Sequence, residues 1–306
     1  MPAKERYPLR GLVVSLNAPF DEHDRLDLPS VERAVEMHLR EGAAGFLVPA
    51  QAAEVLALTL PERLLLVRTV RELARGRSIV IAGATADDPR ESLAMAEHAA
   101  ALGCEGVLSE PPQGAPADLA RLLEFFGAFA SAGVPMLMIQ DLDWGGAGMP
   151  VPVIVELFER IEPFRCLKVE VVPAGPKYTA VLAATGARLH VSGGWAALQM
   201  IEALDRGVDV FMNTAFTRFY QGVLDAHAAG NRELAWKRFR RILPLLAFGH
   251  QHLDVSIQFY KRLFLHLGIF STPRCRKKCL PWDSYHETVS RDLIKYLDSL
   301  EEYEPE

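Results

Sequence analysis

Short, wholly apolar segments alternate with longer amphipathic segments through the first 229 residues of the chain. A short run in which every residue is apolar is typical of a strand covered on both faces, whereas apolar residues spaced three and four apart indicate a helix with one buried face. These patterns predict eight strands: Gly11–Leu16, Gly45–Val48, Ile79–Ala82, Gly106–Leu108, Pro135–Ile139, Arg165–Glu170, Leu189–Ser192 and Val208–Met212.

A helix is predicted after each strand, and glycine often lies in the links from a helix to the next strand, where C-terminal caps favour it. The predicted helices are Val31–Arg40, Pro61–Ala74, Pro89–Leu102, Ala117–Ala132, Val151–Ile161, Lys177–Ala184, Ala196–Arg206 and Phe216–Ala228. Eight strand–helix units are the number in a (β/α)8 TIM barrel. The alternative is an open doubly wound sheet, but no glycine-rich dinucleotide motif follows the first strand.

After Gly230 the pattern predicts helices only, at Glu233–Phe248, Val255–Leu267 and His286–Leu300. No linker-like stretch precedes them. We therefore expect an α/β fold in two parts: a (β/α)8 barrel over residues 1–229, and a C-terminal helical extension over residues 230–306 that packs on the barrel.

Composition narrows the classes of function. The 306 residues are 50% hydrophobic and carry a net charge of -6, with no basic cluster, which argues against a nucleic-acid or anionic-membrane partner. No apolar run approaches the roughly 20 residues that span a bilayer, and the N-terminus lacks the apolar core of a signal peptide. Four cysteines are too few for a disulfide scaffold, and no His or Cys spacing indicates a metal. We expect a cytoplasmic protein without metal or cofactor.

Lys168 is the best clue to chemistry. In a (β/α)8 barrel the catalytic residues follow the C-terminal ends of the strands, and Lys168 lies near the end of the predicted sixth strand. Burial disfavours the cationic form of an amine, and a neutral amine can attack a carbonyl. The imine so formed is an electron sink that allows aldol cleavage or loss of water. The alternative is a structural lysine that pairs with Glu170, and the position alone does not separate the two.

Four short segments add to this picture: Ala18-Pro19-Phe20, Ala50-Gln51-Ala52-Ala53-Glu54, Leu167-Lys168-Val169-Glu170 and Ser192-Gly193. Their order and spacing resemble the dihydrodipicolinate synthase and N-acetylneuraminate lyase family of class I aldolases. That family carries Thr-Pro-Phe, Gly-Thr-Thr-Gly-Glu, Ile-Lys-Glu and Ser-Gly at these places. The resemblance covers most of the chain and implies that Lys168 is the Schiff-base nucleophile. It also implies a homodimer or homotetramer.

The chain departs from the family's pattern at the residues that synthases use for proton transfer and substrate binding. The departures are Ile139 for the tyrosine after the fifth strand, Pro111, Pro112 or Gln113 for a second tyrosine, Gln51 and Ala52 for paired threonines, and Gly145–Gly148 for an arginine. Synthesis of dihydrodipicolinate is therefore not expected. Loss of a general acid-base group typically costs about 10²- to 10⁴-fold in rate, so a replacement is needed.

Candidates for that replacement are the carboxylate of Asp141 or Asp143, the carboxylate of Glu110, a bound water, or the carboxylate of the substrate itself. We assign two catalytic residues, Lys168 and Asp141. The substrate-binding residues that we assign are Gln51, Ala52, Ile139, Gly193 and Phe211.

The expected function is that of a Schiff-base-forming lyase. It would act on a small-molecule 2-oxo acid, by aldol cleavage or condensation or by dehydration. The alternative is a barrel that keeps the fold and the lysine but has lost turnover, and that serves as a small-molecule binding or regulatory protein.

Overall fold

Eight parallel strands form a closed barrel in the computed structural model, which describes residues 4–114, 117–194 and 198–302. Each strand pairs with the next along the chain, and the first pairs with the eighth. The strands are β1 Gly11–Ser15, β2 Gly45–Val48, β3 Ile79–Gly83, β4 Gly106–Ser109, β5 Leu137–Asp143, β6 Phe164–Val171, β7 His190–Gly193 and β8 Val210–Phe211. The predicted (β/α)8 barrel is confirmed.

Helices follow the strands, and three more extend the chain beyond the barrel. They are α1 Leu28–Arg40, α2 Leu60–Ala74, α3 Pro89–Ala101, α4 Leu119–Ser131, α5 Val151–Arg160, α6 Ala174–Ala184, α7 Met200–Asp205, α8 Thr217–Ala228, α9 Arg232–Gly249, α10 Leu253–His266 and α11 Ser284–Glu302. Two short 3-10 helices, Gln51–Ala53 and Val55–Ala57, lie between β2 and α2. Ala196, the predicted start of the helix after β7, lies outside the described residues.

Apolar side chains pack in two layers, because successive residues of a strand point to opposite faces. The inner layer contains alternate strand residues that form a separate apolar cluster, such as Val13, Leu47, Met138 and Cys166. The outer layer contains the other strand residues, packed against the helices. A strand side chain in the inner layer therefore points into the barrel, and one in the outer layer points towards the helices.

The pairing of β5 with β6 contains a register shift, and this shift determines which residue of β5 lies beside Lys168. Leu137 pairs with Phe164, but the next residue, Met138, pairs with Cys166, so Arg165 is an extra residue in β6. Beyond the shift, Gln140 pairs with Lys168. β5 also runs to Asp143, four residues past its predicted end, because this segment continues to pair with β6.

A buried ion pair connects the loop after β2 to the C-terminal helices. The ammonium of Lys261, on α10, contacts Glu54 and donates to the carbonyl of Arg274 at 2.7 Å, and the other carboxylate oxygen of Glu54 accepts from the Lys277 N–H at 2.6 Å. These contacts hold the extension against the barrel mouth. The division at residue 229 stays a prediction. In the part of the chain that is described, no helix has the length and apolarity needed to cross a membrane.

Candidate active site

Lys168 lies inside the barrel at its C-terminal end. It follows Cys166 by two residues on β6, so both side chains point to the interior, and only 4% of Lys168 is exposed. The amine lines a small cavity of about 50 Å³. The extension forms part of the wall of this cavity, since His250, Leu253 and Ser256 also line it. The predicted position of Lys168 therefore agrees with the structure, and its role as nucleophile stays a prediction.

Glu170 is the nearest charged partner of that amine. It lies two residues further along β6 and therefore on the same face, and its Oε1 is 3.2 Å from Lys168 Nζ. The side-chain amide of Gln140 donates to the other carboxylate oxygen. Glu170 is 7% exposed, so this ion pair is shielded from water. Sequence reasoning identified Glu170 only as a structural partner of Lys168.

Gly194, rather than Gly193, abuts these two side chains. A β-carbon on residue 194 would lie 2.0 Å from Glu170 Oε1 and 2.6 Å from Lys168 Cε. Gly193 instead ends β7 and accepts a backbone hydrogen bond from Met212 at 2.9 Å. Glycine at 194 therefore leaves the space that the ion pair occupies.

Gln51 and Ala52 line the same cavity, at the position where the sequence predicted them. Asn17 donates from its side-chain amide to the Ala52 carbonyl at 2.6 Å, which fixes the loop after β2. Gln51 donates to Glu110 Oε1 at 2.7 Å. Burial raises the pKa of Glu110, and the charge of Glu170 raises it further, against the opposing effects of Gln51 and Lys168.

A second and larger cavity adjoins the first at Gln51. Its volume is about 420 Å³, and Gln51 lines both cavities. Polar side chains on its wall include Thr85, Asp87, Glu110 and Arg121. The hydrogen-bonded pair of Gln51 and Glu110 thus lies at the boundary between a small cavity beside the amine and a larger one.

Ile139 and Phe211 do not lie in the cavity where sequence reasoning assigned them. Both are fully buried in the outer apolar layer, among side chains that contact the helices. Side chains alternate along β5, where Met138 is inward and Gln140 pairs with Lys168, so Ile139 between them points outward. On β8 the inward residues are Val210 and Met212, and Met212 lines the cavity.

Asp141 also points away from Lys168. Its Oδ2 is 3.0 Å from Lys177 Nζ, and its Oδ1 accepts from the Met149 N–H at 2.7 Å. Burial raises the pKa of Asp141, although Met149 and Lys177 favour the carboxylate. The assignment of Asp141 as a catalytic residue therefore conflicts with its placement, and its contacts are those of a residue that holds the loop after β5.

His250 is a cavity residue that sequence reasoning missed. It follows α9, and its Nδ1 lies 3.0 Å from the Leu246 carbonyl. Burial lowers the pKa of His250 to about 4, so the imidazole is neutral at physiological pH. No spacing in the sequence indicates this role, because the residue comes from the extension, far along the chain from every barrel strand.

Within residues 4–114, 117–194 and 198–302, no three His, Cys, Asp or Glu side chains are arranged to hold a metal ion. The titratable groups that line the cavity beside Lys168 are Glu170 and His250. This arrangement suits amine and carboxylate chemistry.

Comparisons with known proteins agree with this fold. The profile of the Dihydrodipicolinate synthetase family matches residues 8–297. An L-2-keto-3-deoxyarabonate dehydratase from Azospirillum brasilense is 26% identical over 292 residues, covering 93% of this chain and 92% of that protein. An uncharacterized DapA-like lyase from Rhizobium meliloti is 28% identical over 147 residues, or 48% of this chain and 49% of that one. The crystal structure of dihydrodipicolinate synthase from Rhodopseudomonas palustris has a TM-score of 0.85 at 22% identity, over 96% and 99% of the two chains.

These matches confirm the resemblance and, with it, the predicted class of enzyme, a lyase of the class I aldolase and dehydratase type. A relative that covers nearly the whole chain is a dehydratase, so a barrel without turnover is not favoured. From its sequence, its barrel and the family profile, this chain is a member of the Dihydrodipicolinate synthetase family.

Proposed function

We propose that the protein is a Schiff-base lyase in which Lys168 Nζ attacks the carbonyl carbon of a 2-oxo acid. The protonated imine then accepts the electrons of a bond to C3. When this is the C3–H bond, the C4 hydroxyl can leave as water; when it is the C3–C4 bond, the carbon chain is cleaved. One observation carries this proposal. The Lys168 amine is buried beside a cavity at the barrel mouth, with a carboxylate 3.2 Å away. A cavity of about 50 Å³ has room for the 2-oxo acid head only.

Dehydration of a 3-deoxy-2-oxo sugar acid is the reaction that we propose first. The dehydratase relative from Azospirillum brasilense supports it. The charges near the amine also favour a substrate with a neutral, hydroxylated tail. Glu110 and Glu170 lie at the cavities, and a second substrate carboxylate would be repelled there. The larger cavity beyond Gln51 provides space for such a tail.

The substrate carboxylate is proposed to bind against Ala52. This residue lines the small cavity, and a backbone N–H can serve as donor whatever its side chain. The amide of Gln51 is engaged by Glu110 at 2.7 Å, so we assign Gln51 to the boundary with the larger cavity instead. No cofactor or metal is needed for these steps, because the protonated imine is itself the electron sink.

We also propose that the protein is a cytoplasmic homodimer or homotetramer. All four cysteines are free thiols, as suits a reducing compartment. Light scattering after size-exclusion chromatography tests the assembly, and a monomer at micromolar concentration would contradict it.

Turnover is the direct test of the proposed reaction. The protein is incubated with a panel of 3-deoxy-2-oxo sugar acids of five and six carbons, and the products are followed by proton NMR. Wild type is expected to dehydrate at least one of them, and Lys168→Met to dehydrate none. Cleavage to pyruvate and an aldehyde would change the reaction type but keep the role of Lys168. Equal turnover by Lys168→Met would refute the proposal.

A further inference from the structure

The proposed chemistry needs a group that removes a proton from C3 of the bound imine. In an imine, C3 is two bonds from the nitrogen, which places it about 2.5 Å from Nζ by ordinary bond lengths and angles. Glu170 Oε1 is 3.2 Å from the same nitrogen. A substrate held in the cavity would therefore carry its C3 hydrogens close to this carboxylate oxygen.

Other carboxylates near the barrel mouth are less well placed. Asp141 points into the helix layer and pairs with Lys177 at 3.0 Å. Glu110 accepts from Gln51 at 2.7 Å and lines the larger cavity. Among the described residues, Glu170 is the carboxylate that both lines the small cavity and contacts Lys168.

Neighbouring residues hold Glu170 in this position. The Gln140 amide donates to one of its oxygens, which leaves Oε1 directed at Lys168. The pairing of β5 with β6 continues past both residues, so the backbone beneath them is part of the sheet. Gly194, the residue after β7, packs against the carboxylate. The carboxylate thus has a fixed orientation before any substrate binds, which general acid-base catalysis requires.

We propose that Glu170 is the catalytic base, and then the catalytic acid, of this reaction, an inference that rests on the proposed imine at Lys168. The Lys168 ammonium first loses a proton to water. The neutral amine adds to C2, and the former carbonyl oxygen takes up that proton and one from the nitrogen and leaves as water, giving a protonated imine. Carboxylate Glu170 then takes a C3 proton, and the C–H electrons form the C2=C3 bond of an enamine.

In the dehydration, the enamine electrons return to form C3=C4 as the C4 hydroxyl departs. Glu170 gives its proton to that hydroxyl, so water leaves and the carboxylate is regenerated. Hydrolysis of the imine releases the unsaturated 2-oxo acid and frees Lys168. The proton taken from C3 is thus the proton delivered to the leaving group, and no oxidant, reductant or metal enters the balance.

Exchange of the C3 protons of pyruvate in D₂O isolates the proton-transfer step. Pyruvate can form the imine but has no C4 hydroxyl to lose, so exchange measured by proton NMR reports on removal of the C3 proton without the dehydration step. Borohydride reduction followed by peptide mass analysis reports separately on imine formation at Lys168. The variants are Glu170→Gln, Glu170→Asp and the matched control Glu202→Gln, whose carboxylate pairs with Arg206 at 2.9 Å on α7, outside the cavity.

Wild type and Glu202→Gln are expected to form the adduct and to exchange the protons. Glu170→Gln is expected to form the adduct but to exchange about 10²- to 10⁴-fold more slowly, with Glu170→Asp between them. Exchange by Glu170→Gln within about threefold of wild type would overturn the proposal, because an acid-base group contributes more than that. An adduct without exchange in wild type, or no adduct in Glu170→Gln, would also overturn it. No adduct in wild type would refute the proposed function itself.

Discussion

Gly194 and Lys168 are in such close contact that a β-carbon on residue 194 would lie 2.6 Å from Lys168 Cε. The same β-carbon would approach Glu170 Oε1 to 2.0 Å. The amine and the carboxylate therefore share a space that only a residue without a side chain leaves open. The backbone at Gly194 is not in the left-handed region, so this requirement comes from the neighbouring side chains.

Gly194→Ala is expected to displace Glu170 and Lys168 and to lower turnover by about 10²-fold, as misplacement of a reacting group by an ångström does. The free energy of unfolding should be affected less than turnover is, because the ends of the two long side chains can move away from the added β-carbon. The matched control is Gly127→Ala on α4, where a β-carbon would meet nothing within 4 Å. That control should keep wild-type activity. Equal activity of both variants would contradict the predicted crowding at Gly194.

Asp141→Asn tests whether this residue supports the fold or the reaction. The substitution leaves the Lys177 ammonium without its carboxylate, 3.0 Å away in a buried setting. Loss of one partner of a buried ion pair typically costs about 3–5 kcal/mol, so we expect urea denaturation to give a free energy of unfolding lower by that amount. Exchange of pyruvate protons should be unchanged.

The double variant Asp141→Asn with Lys177→Met removes the unpaired charge and should recover part of that stability. A loss of proton exchange in Asp141→Asn, with stability unchanged, would instead support the catalytic assignment made from the sequence.

Acid should destabilise the protein through its buried histidines. His38 is fully buried, its Nδ1 lies 2.9 Å from Thr217 Oγ1, and burial lowers its pKa from 6.5 to about 3. Between these values the unfolded chain binds a proton that the folded protein does not. The free energy of unfolding therefore falls as pH drops from 6.5, by about 1.4 kcal/mol per pH unit for each such histidine. His250 acts in the same direction, down to about pH 4.

Urea denaturation at several pH values between 7 and 4 measures this slope. His38→Asn should reduce the slope by the contribution of one proton. An identical slope in His38→Asn and wild type would contradict the assignment.

Glu110→Gln separates recognition of the substrate tail from chemistry at the amine. Glu110 lies at the wall of the larger cavity, so we expect its carboxylate to accept hydrogen bonds from substrate hydroxyls. A hydrogen bond to a charged group contributes about 1.5–3 kcal/mol, which corresponds to a roughly 10- to 100-fold fall in kcat/KM for hydroxylated substrates. Exchange of pyruvate protons should be unaffected. Loss of that exchange would make Glu110 the base, in place of Glu170.

The barrel and Lys168 could be predicted from the sequence because each depends on a local pattern. Fully apolar runs indicate strands covered on both faces, and a lone lysine near the end of such a run stands out against them. Ile139 and Phe211 were misplaced because side chains alternate between the two faces of a strand, and a fully apolar run does not show which face is inward. Met138 on β5 and Met212 after β8 point inward, so Ile139 and Phe211 lie in the outer layer.

His250 and Gly194 were missed for a different reason. His250 reaches the cavity from the extension, and no local periodicity relates α9 to the mouth of the barrel. Gly194 is one of two adjacent glycines, and the sequence does not tell which of them faces Lys168. Both depend on contacts between segments far apart along the chain.

Trapping of the imine tests the central claim most directly. The protein is incubated with pyruvate and other 2-oxo acids, reduced with borohydride, digested and analysed by mass spectrometry, with Lys168→Arg as the control. We predict that the peptide containing Lys168 gains the mass of pyruvate less one oxygen, and that the control gains nothing. The absence of an adduct with every 2-oxo acid tried, or an adduct on Lys177 instead, would contradict the account.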